Sequence, residues 1–236
     1  MRAKQKLTIF HFTTILTLSF AMLMAATAFA RDKLPETSHD GLKLQKDTKL
    51  AAVYLKPGET LKGYDKVSMT DVYVAFKKNW QRDYNRNTMG LDGRVSDKDV
   101  AVIKDRLAKE FKTVFTKELE ESGDYEVVDY DAKDVMVLRP AIINLVVNAP
   151  DTNRASMSRT FVAYAGEMTL YMELYDSYTG DILARVIDAQ AAGDHGIAHA
   201  GSRVSNKVEF DRVLKKWADI LRVNLDKVNA AASKNK

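Results

Sequence analysis

The stretch Gly166–Ala189, GEMTLYMELYDSYTGDILARVIDA, decides the fold. Met168, Leu170, Met172 and Leu174 alternate with Glu167, Thr169, Tyr171 and Glu173. That period of two belongs to a strand with one face in a core. Asp176–Asp181 then supplies turn residues, and a second apolar run returns from Ile182 to Ala189. The whole reads as a long β-hairpin at the centre of a sheet. A four-residue loop, Ser177–Gly180, would set Leu174 against Leu183 and Leu170 against Ile187. A three-residue loop would instead set Glu173 against Arg185, a favourable cross-strand pair. The four-residue loop, with Gly180 in the left-handed conformation, is the expectation. In either register both faces of the return strand carry apolar residues, so the hairpin reads as scaffold and function belongs in the loops around it.

Working outward, Val135–Val147 is a mostly apolar run that should be buried on both faces, with Pro140 marking a bulge, bend or edge. Val67–Phe76 alternates and reads as one strand, and Tyr125–Val128 as a short one. Ser96 with Asp99 forms a capping box at the start of a helix that Gly123 ends. Val100, Ile103, Leu107, Phe111, Val114, Phe115 and Leu119 make its apolar stripe. A last helix, capped by Ser205 or Asn206, carries Phe210, Val213, Leu214, Trp217, Ile220, Leu221, Leu225 and Val228 on one face. Residues 77–94, 148–165 and 191–205 read as loops. Arg31–Gly41 reads as a flexible leader and Leu42–Leu61 as extended chain on the surface, with a turn at Pro57-Gly58. The expected architecture is a two-layer α+β domain: a mixed, mostly antiparallel sheet under two long amphipathic helices. Its expected divisions are an export signal over 1–30, an extended segment over 31–60, a single domain over 61–230 and a fraying tail over 231–236.

The export signal rests on Arg2, Lys4 and Lys6, the apolar run Leu7–Ala28 and the small-x-small site Ala28-Phe29-Ala30. Cleavage after Ala30 would release a periplasmic or secreted protein with no later membrane span. The chain has 36 Lys+Arg against 32 Asp+Glu, but three of the 36 lie in the signal and no acid precedes Asp32. The remainder is close to neutral, which argues against nucleic acid as a partner. With no cysteine, disulfides, thiol catalysis and a lipid anchor at the cleavage site are all excluded.

Several stretches together resemble a known family. They are Tyr54-Leu55-Lys56-Pro57-Gly58, Leu61–Val67, Phe76 with Trp80, Gly123–Val128 and Glu173–Ala184. The set resembles DUF3313, a family of small exported bacterial proteins without an established biochemical function, many of them read as lipoproteins. The resemblance implies an envelope location. Lacking the lipoprotein cysteine, this chain departs from those members, which favours the soluble periplasm.

Candidate chemistry is sparse. Asp194, His195 and His199 form the sharpest cluster, and His-x-x-x-His on a helix could hold a metal. Gly193, Gly196 and Gly201 argue against that helix, and no Glu lies between the histidines. No Gly-x-Ser-x-Gly elbow is present, and Ser156 and Ser158 lie in a loop. Lys77, Lys78, Arg82, Arg86 and Arg94 surround Trp80 and Tyr84, which could stack on a ligand, although a tryptophan packed at the core edge among solvated charges explains them as well. The expectation is a non-enzymatic envelope module without a cofactor, which binds another envelope protein or self-associates through Trp80, Tyr84, Arg154 and Arg159. The competing expectation is a metal-dependent or hydrolytic enzyme using His195 and His199.

Overall fold

The computed structural model describes residues 34–59, 61–88, 93–121, 125–147, 165–191 and 203–233. The described residues all fall in one compact unit, 34–236. Its hairpin strands, β7 (Ala165–Asp176) and β8 (Ile182–Ala191), lie in the middle of an eight-stranded sheet. The other strands are β1 (Lys43–Leu44), β2 (Ala52–Leu55), β3 (Lys66–Met69), β4 (Tyr73–Phe76), β5 (Glu126–Val128) and β6 (Val135–Val147). The order is β1-β2-β8-β7-β6-β3-β5, with β4 also on β6. Strands β1, β2, β8, β7 and β6 pair antiparallel in turn, while β3 and β4 run parallel to β6, and β5 parallel to β3. The described helices are α1 (Trp80–Asn87), α2 (Asp97–Glu121) and α3 (Arg203–Ser233). This is the expected α+β mixed sheet with two long helices, joined by a third, short one.

The hairpin corrects the expected register. The tip is the four-residue loop: Asp176 N–H donates to the Asp181 carbonyl at 2.9 Å, and Gly180 takes φ +73°. Tyr175 then faces Ile182, but Leu174 faces Ala184, not Leu183. Leu183 is the extra residue of a β-bulge, and one extra residue exchanges the two faces of a strand. Glu173 therefore lies opposite Arg185, the pairing that a three-residue loop was expected to bring. Ala184, Val186 and Asp188 join the methionine face instead of Ile187 and Ala189.

The expected strand Val67–Phe76 is broken for the same kind of reason. Met69 faces Leu138 and Tyr73 faces Ala141, so the chain uses one residue more than β6 over this span. Val67 is buried before the break, Val72 and Val74 after it, and Asp71 is left in solvent. Pro140, which has no ladder donor, sits beside the break. A further bulge in β6 holds Asn144 at φ 52°, a left-handed conformation that Asn tolerates better than most side chains.

Four more expectations change. Residues 42–61 are not merely a surface strand of chain, because β1 and β2 extend the sheet beyond β8. Residues 34–41 are no loose leader: Ser38 and Leu42 exchange hydrogen bonds, and the Tyr54 hydroxyl donates to the Pro35 carbonyl at 3.0 Å. The polar stretch 77–94 contains α1. Helix α3 starts at Arg203, upstream of the expected caps Ser205 and Asn206, and runs to Ser233, into the tail.

Helix α2 begins at the expected capping box, with Asp99 N–H donating to Ser96 Oγ at 3.3 Å and Ser96 N–H to Asp99 Oδ2 at 2.9 Å. Its buried stripe, Ile103 to Leu119, and the α3 stripe from Phe210 to Leu225 share one core with Met168, Leu170, Met172 and Leu174. Both long helices thus cover the same face of the sheet, and Lys215 bridges them by an ion pair to Glu118 at 2.8 Å.

Candidate functional site

Alternation along β2 and β8 makes two different surfaces at this side of the sheet. Val53 and Leu55 share the helix face with Ala184 and Val186, while Ala52 and Tyr54 share the outer face with Arg185 and Ile187. Each surface carries a built feature.

On the helix face, α3 does not close completely over the sheet. A slot of about 580 Å³ runs between α3 and the β2–β8 side, capped by the 45–50 loop. Its floor is Leu170, Met172, Leu174, Ala184, Val186 and Trp217; its walls are partly exposed aliphatics such as Leu50, Leu55 and Val223. Lysines 46, 49 and 227 stand exposed at the rim, with Asp47, Glu59 and Asp219. One buried carboxylate fixes this geometry. Asp188 accepts from Trp217 Nε1 at 2.7 Å, from Gln190 Nε2 at 2.7 Å and from the Ala51 backbone N–H at 3.0 Å. It thereby ties α3, β8 and the loop that carries two of the rim lysines. Asp47, at φ 58°, makes the tight turn in that loop.

On the outer face, Arg185 is buried between two carboxylates. Its guanidinium grips Asp40 with both terminal nitrogens and reaches Glu173 Oε1 at 2.9 Å. Tyr171 and Tyr175 each donate to Glu173 at 2.7 Å. The bond to Arg185 holds Asp40 well below the usual carboxylate range, even though partial burial opposes it. For Glu173, burial alone would raise the pKa; the bonds from Tyr171, Tyr175 and Arg185 outweigh it and the net shift is downward. Burial, with the bond to Glu173, pushes the Tyr171 phenol up to about 12. Asp40 belongs to the 34–41 segment, so this cluster adds to the Tyr54–Pro35 bond in fastening that segment to the sheet. Every member is satisfied by another member, which describes a structural staple.

The residues singled out from sequence fall in three places. Trp80 is buried: it stacks on Phe76 at 4.2 Å and on Tyr84 at 5.7 Å, and its Nε1–H donates to the Val147 carbonyl at 3.2 Å. Tyr84 is half-buried at the open end of that stack. Arg154, Arg159, Asp194, His195 and His199 lie outside the described residues. Of the sequence-chosen site residues, the two that are described, Trp80 and Tyr84, do not line the slot. Periodicity alone reads Trp217 and the α3 stripe as core, and nothing local in the sequence marks Lys46, Lys49 or Asp188; only pairing of β2 with β8, a contact between distant stretches, gathers them.

These features define a class: a mixed-sheet α+β protein whose C-terminal helix leaves an apolar slot at one side. The chain belongs to the DUF3313 family, described as a protein of unknown function, which matches residues 29–221. No curated protein matches it. Among solved structures, PelC of Paraburkholderia phytofirmans, a dodecamer, is 13% identical, with 69% of this chain and 96% of that one covered and a TM-score of 0.35. A DUF330-family protein of Xanthomonas campestris is also 13% identical, covering 76% and 94% with a TM-score of 0.37. Scores this low assign nothing to the present chain. Among the described residues, no helix is long and apolar enough to cross a membrane.

Proposed function

We propose that this is an exported, non-enzymatic protein of the cell envelope that holds a ligand in the slot between α3 and the sheet. The slot is the observation that carries the reading. An exposed recess walled by aliphatic side chains is costly to keep unless something fills it, and its volume is within the range of ligand sites. The signal over residues 1–30, with cleavage after Ala30, supports export, and the absence of any cysteine supports a soluble periplasmic form without a lipid anchor. A non-enzymatic role is supported by how the described polar groups are used. Asp40, Glu173 and Arg185 neutralise one another, and Asp188 is committed to three donors. Partner contact by Tyr84 with Arg154 and Arg159, to another envelope protein or a second copy, remains a separate proposal on a different part of the chain.

The test is site-specific photocrosslinking in growing cells. A photoreactive residue at Val223, on the slot wall, should yield a discrete adduct, and the same residue at Glu126, on the far strand β5, should not. Equal labelling from both positions, or none from Val223, overturns the slot as the binding seat. N-terminal sequencing of protein released by osmotic shock should begin at Arg31.

A further inference from the structure

Resting on the reading of the slot as a binding seat, we infer that its ligand is a long-chain fatty acid, with the hydrocarbon chain along the floor and the carboxylate at the lysine rim. The floor offers nothing for a polar ligand to bond. Leu170, Met172, Leu174, Ala184 and Val186 are aliphatic, and the one polar group there, the Trp217 N–H, is already taken by Asp188. A ligand with polar atoms over this floor would leave them unpaired, whereas a hydrocarbon chain strands none; the polar lining side chains Gln45, Thr48 and Asn224 stand on the 45–50 loop and on α3. A volume of about 580 Å³ is in the range for one ligand of moderate size, which fits a single chain.

The rim selects the sign of the head group. Of its three carboxylates, Glu59 shares Lys56 (3.5 Å) with Asp181, and Asp219 shares Arg222 (2.5 Å) with Asp226. Lys46, Lys49 and Lys227 form no ion pair among the described residues, whereas Glu59 and Asp219 already have a cation partner. Three ammonium groups that form no ion pair among the described residues therefore stand directly beside an apolar recess. Lysine suits this position, because its stem can lie along apolar surface while the ammonium reaches a carboxylate in water. The lysines come from both sides of the opening, two from the β1–β2 loop and one from α3, so an anionic head would join the loop to the helix.

Trp217 provides the readout. Titration of the purified protein with 9,10-dibromostearate should quench its fluorescence saturably, because bromine quenches indole at contact. In Trp217→Phe the remaining Trp80, which is not part of the slot, should stay bright. Unbrominated stearate should restore the signal at a concentration at least about tenfold below that needed by octadecyltrimethylammonium, which has the same chain with a cationic head. Lysophosphatidylglycerol, whose phosphodiester is also anionic, should compete less well than stearate. The triple variant Lys46→Glu, Lys49→Glu, Lys227→Glu should unfold at the same temperature as the wild type and bind dibromostearate at least about tenfold more weakly. The inference is overturned by absence of saturable quenching, by equal competition from the cationic amphiphile, by tighter competition from lysophosphatidylglycerol, or by unchanged affinity in the charge-reversed variant. Should quenching fail while Val223 still crosslinks in cells, the fatty acid is wrong and the binding seat stands.

Discussion

Arg185 and Asp188 sit three residues apart on one strand, on opposite faces, and do opposite jobs. Arg185 secures the N-terminal segment outside the sheet; Asp188 secures the helix and the slot loop inside it. Removing Arg185 strands Asp40 and Glu173 together, so Arg185→Met should destabilise by about 3 kcal/mol in urea unfolding, the cost of breaking a largely buried pair from one side. The pH dependence has a definite sign. Asp40 and Glu173 both have folded pKa values below their ordinary ones. Their stabilisation is therefore fully present above about pH 4–5, where they are ionised in the unfolded chain as well, and is lost as pH falls through their lowered folded values. Asp40→Asn should flatten that acid limb of the stability curve, measured by urea midpoints between pH 5 and 2. Asp188→Ala leaves the Trp217 and Ala51 donors without an acceptor. A loss of about 2–4 kcal/mol is expected, with a red shift of Trp217 emission as α3 loosens.

At the scale of elements, bulges decide what the strands present. The Leu183 bulge brings Asp188 to the helix face and Arg185 to the outer one; without it the two would exchange. Gly180 makes the tip that precedes the bulge, and Gly180→Ala should cost about 1 kcal/mol, because φ +73° suits glycine and crowds a Cβ. Ser96→Ala should cost about the same by removing the α2 cap, read as a lowered thermal midpoint. What the sequence showed plainly were elements set by local periodicity: β6 at its observed ends, the α2 cap and stripe, the hairpin and its four-residue loop. What it hid were changes of phase. The change was readable in one place, where apolar parity passes from Val67 and Met69 to Val72 and Val74 with Asp71 between them. It was hidden at Leu183, since Leu183, Ala184 and Val186 are apolar on both parities. Strands β1 and β2 are too short to show a period, and their place depends on β8, more than a hundred residues away. The slot inherits that obscurity: its floor reads as core and its rim as solvated lysines.

For the molecule as a whole, the two faces of the sheet divide the work. The α2 side of the helix layer and the outer staple hold the fold, while the α3 side leaves room. That division predicts that the slot can be filled without unfolding the protein. Val223→Trp places a larger ring on the slot wall, at a position that is only half-buried, and should leave the thermal midpoint within a few degrees of the wild type. The most direct measurement is the fatty-acid content of protein purified without detergent from the bacterial envelope, extracted into organic solvent and quantified by mass spectrometry. The account expects long-chain fatty acid to accompany the wild type and to fall at least about tenfold in Val223→Trp. Equal fatty acid in both proteins, or none in either after incubation with excess stearate, would contradict it.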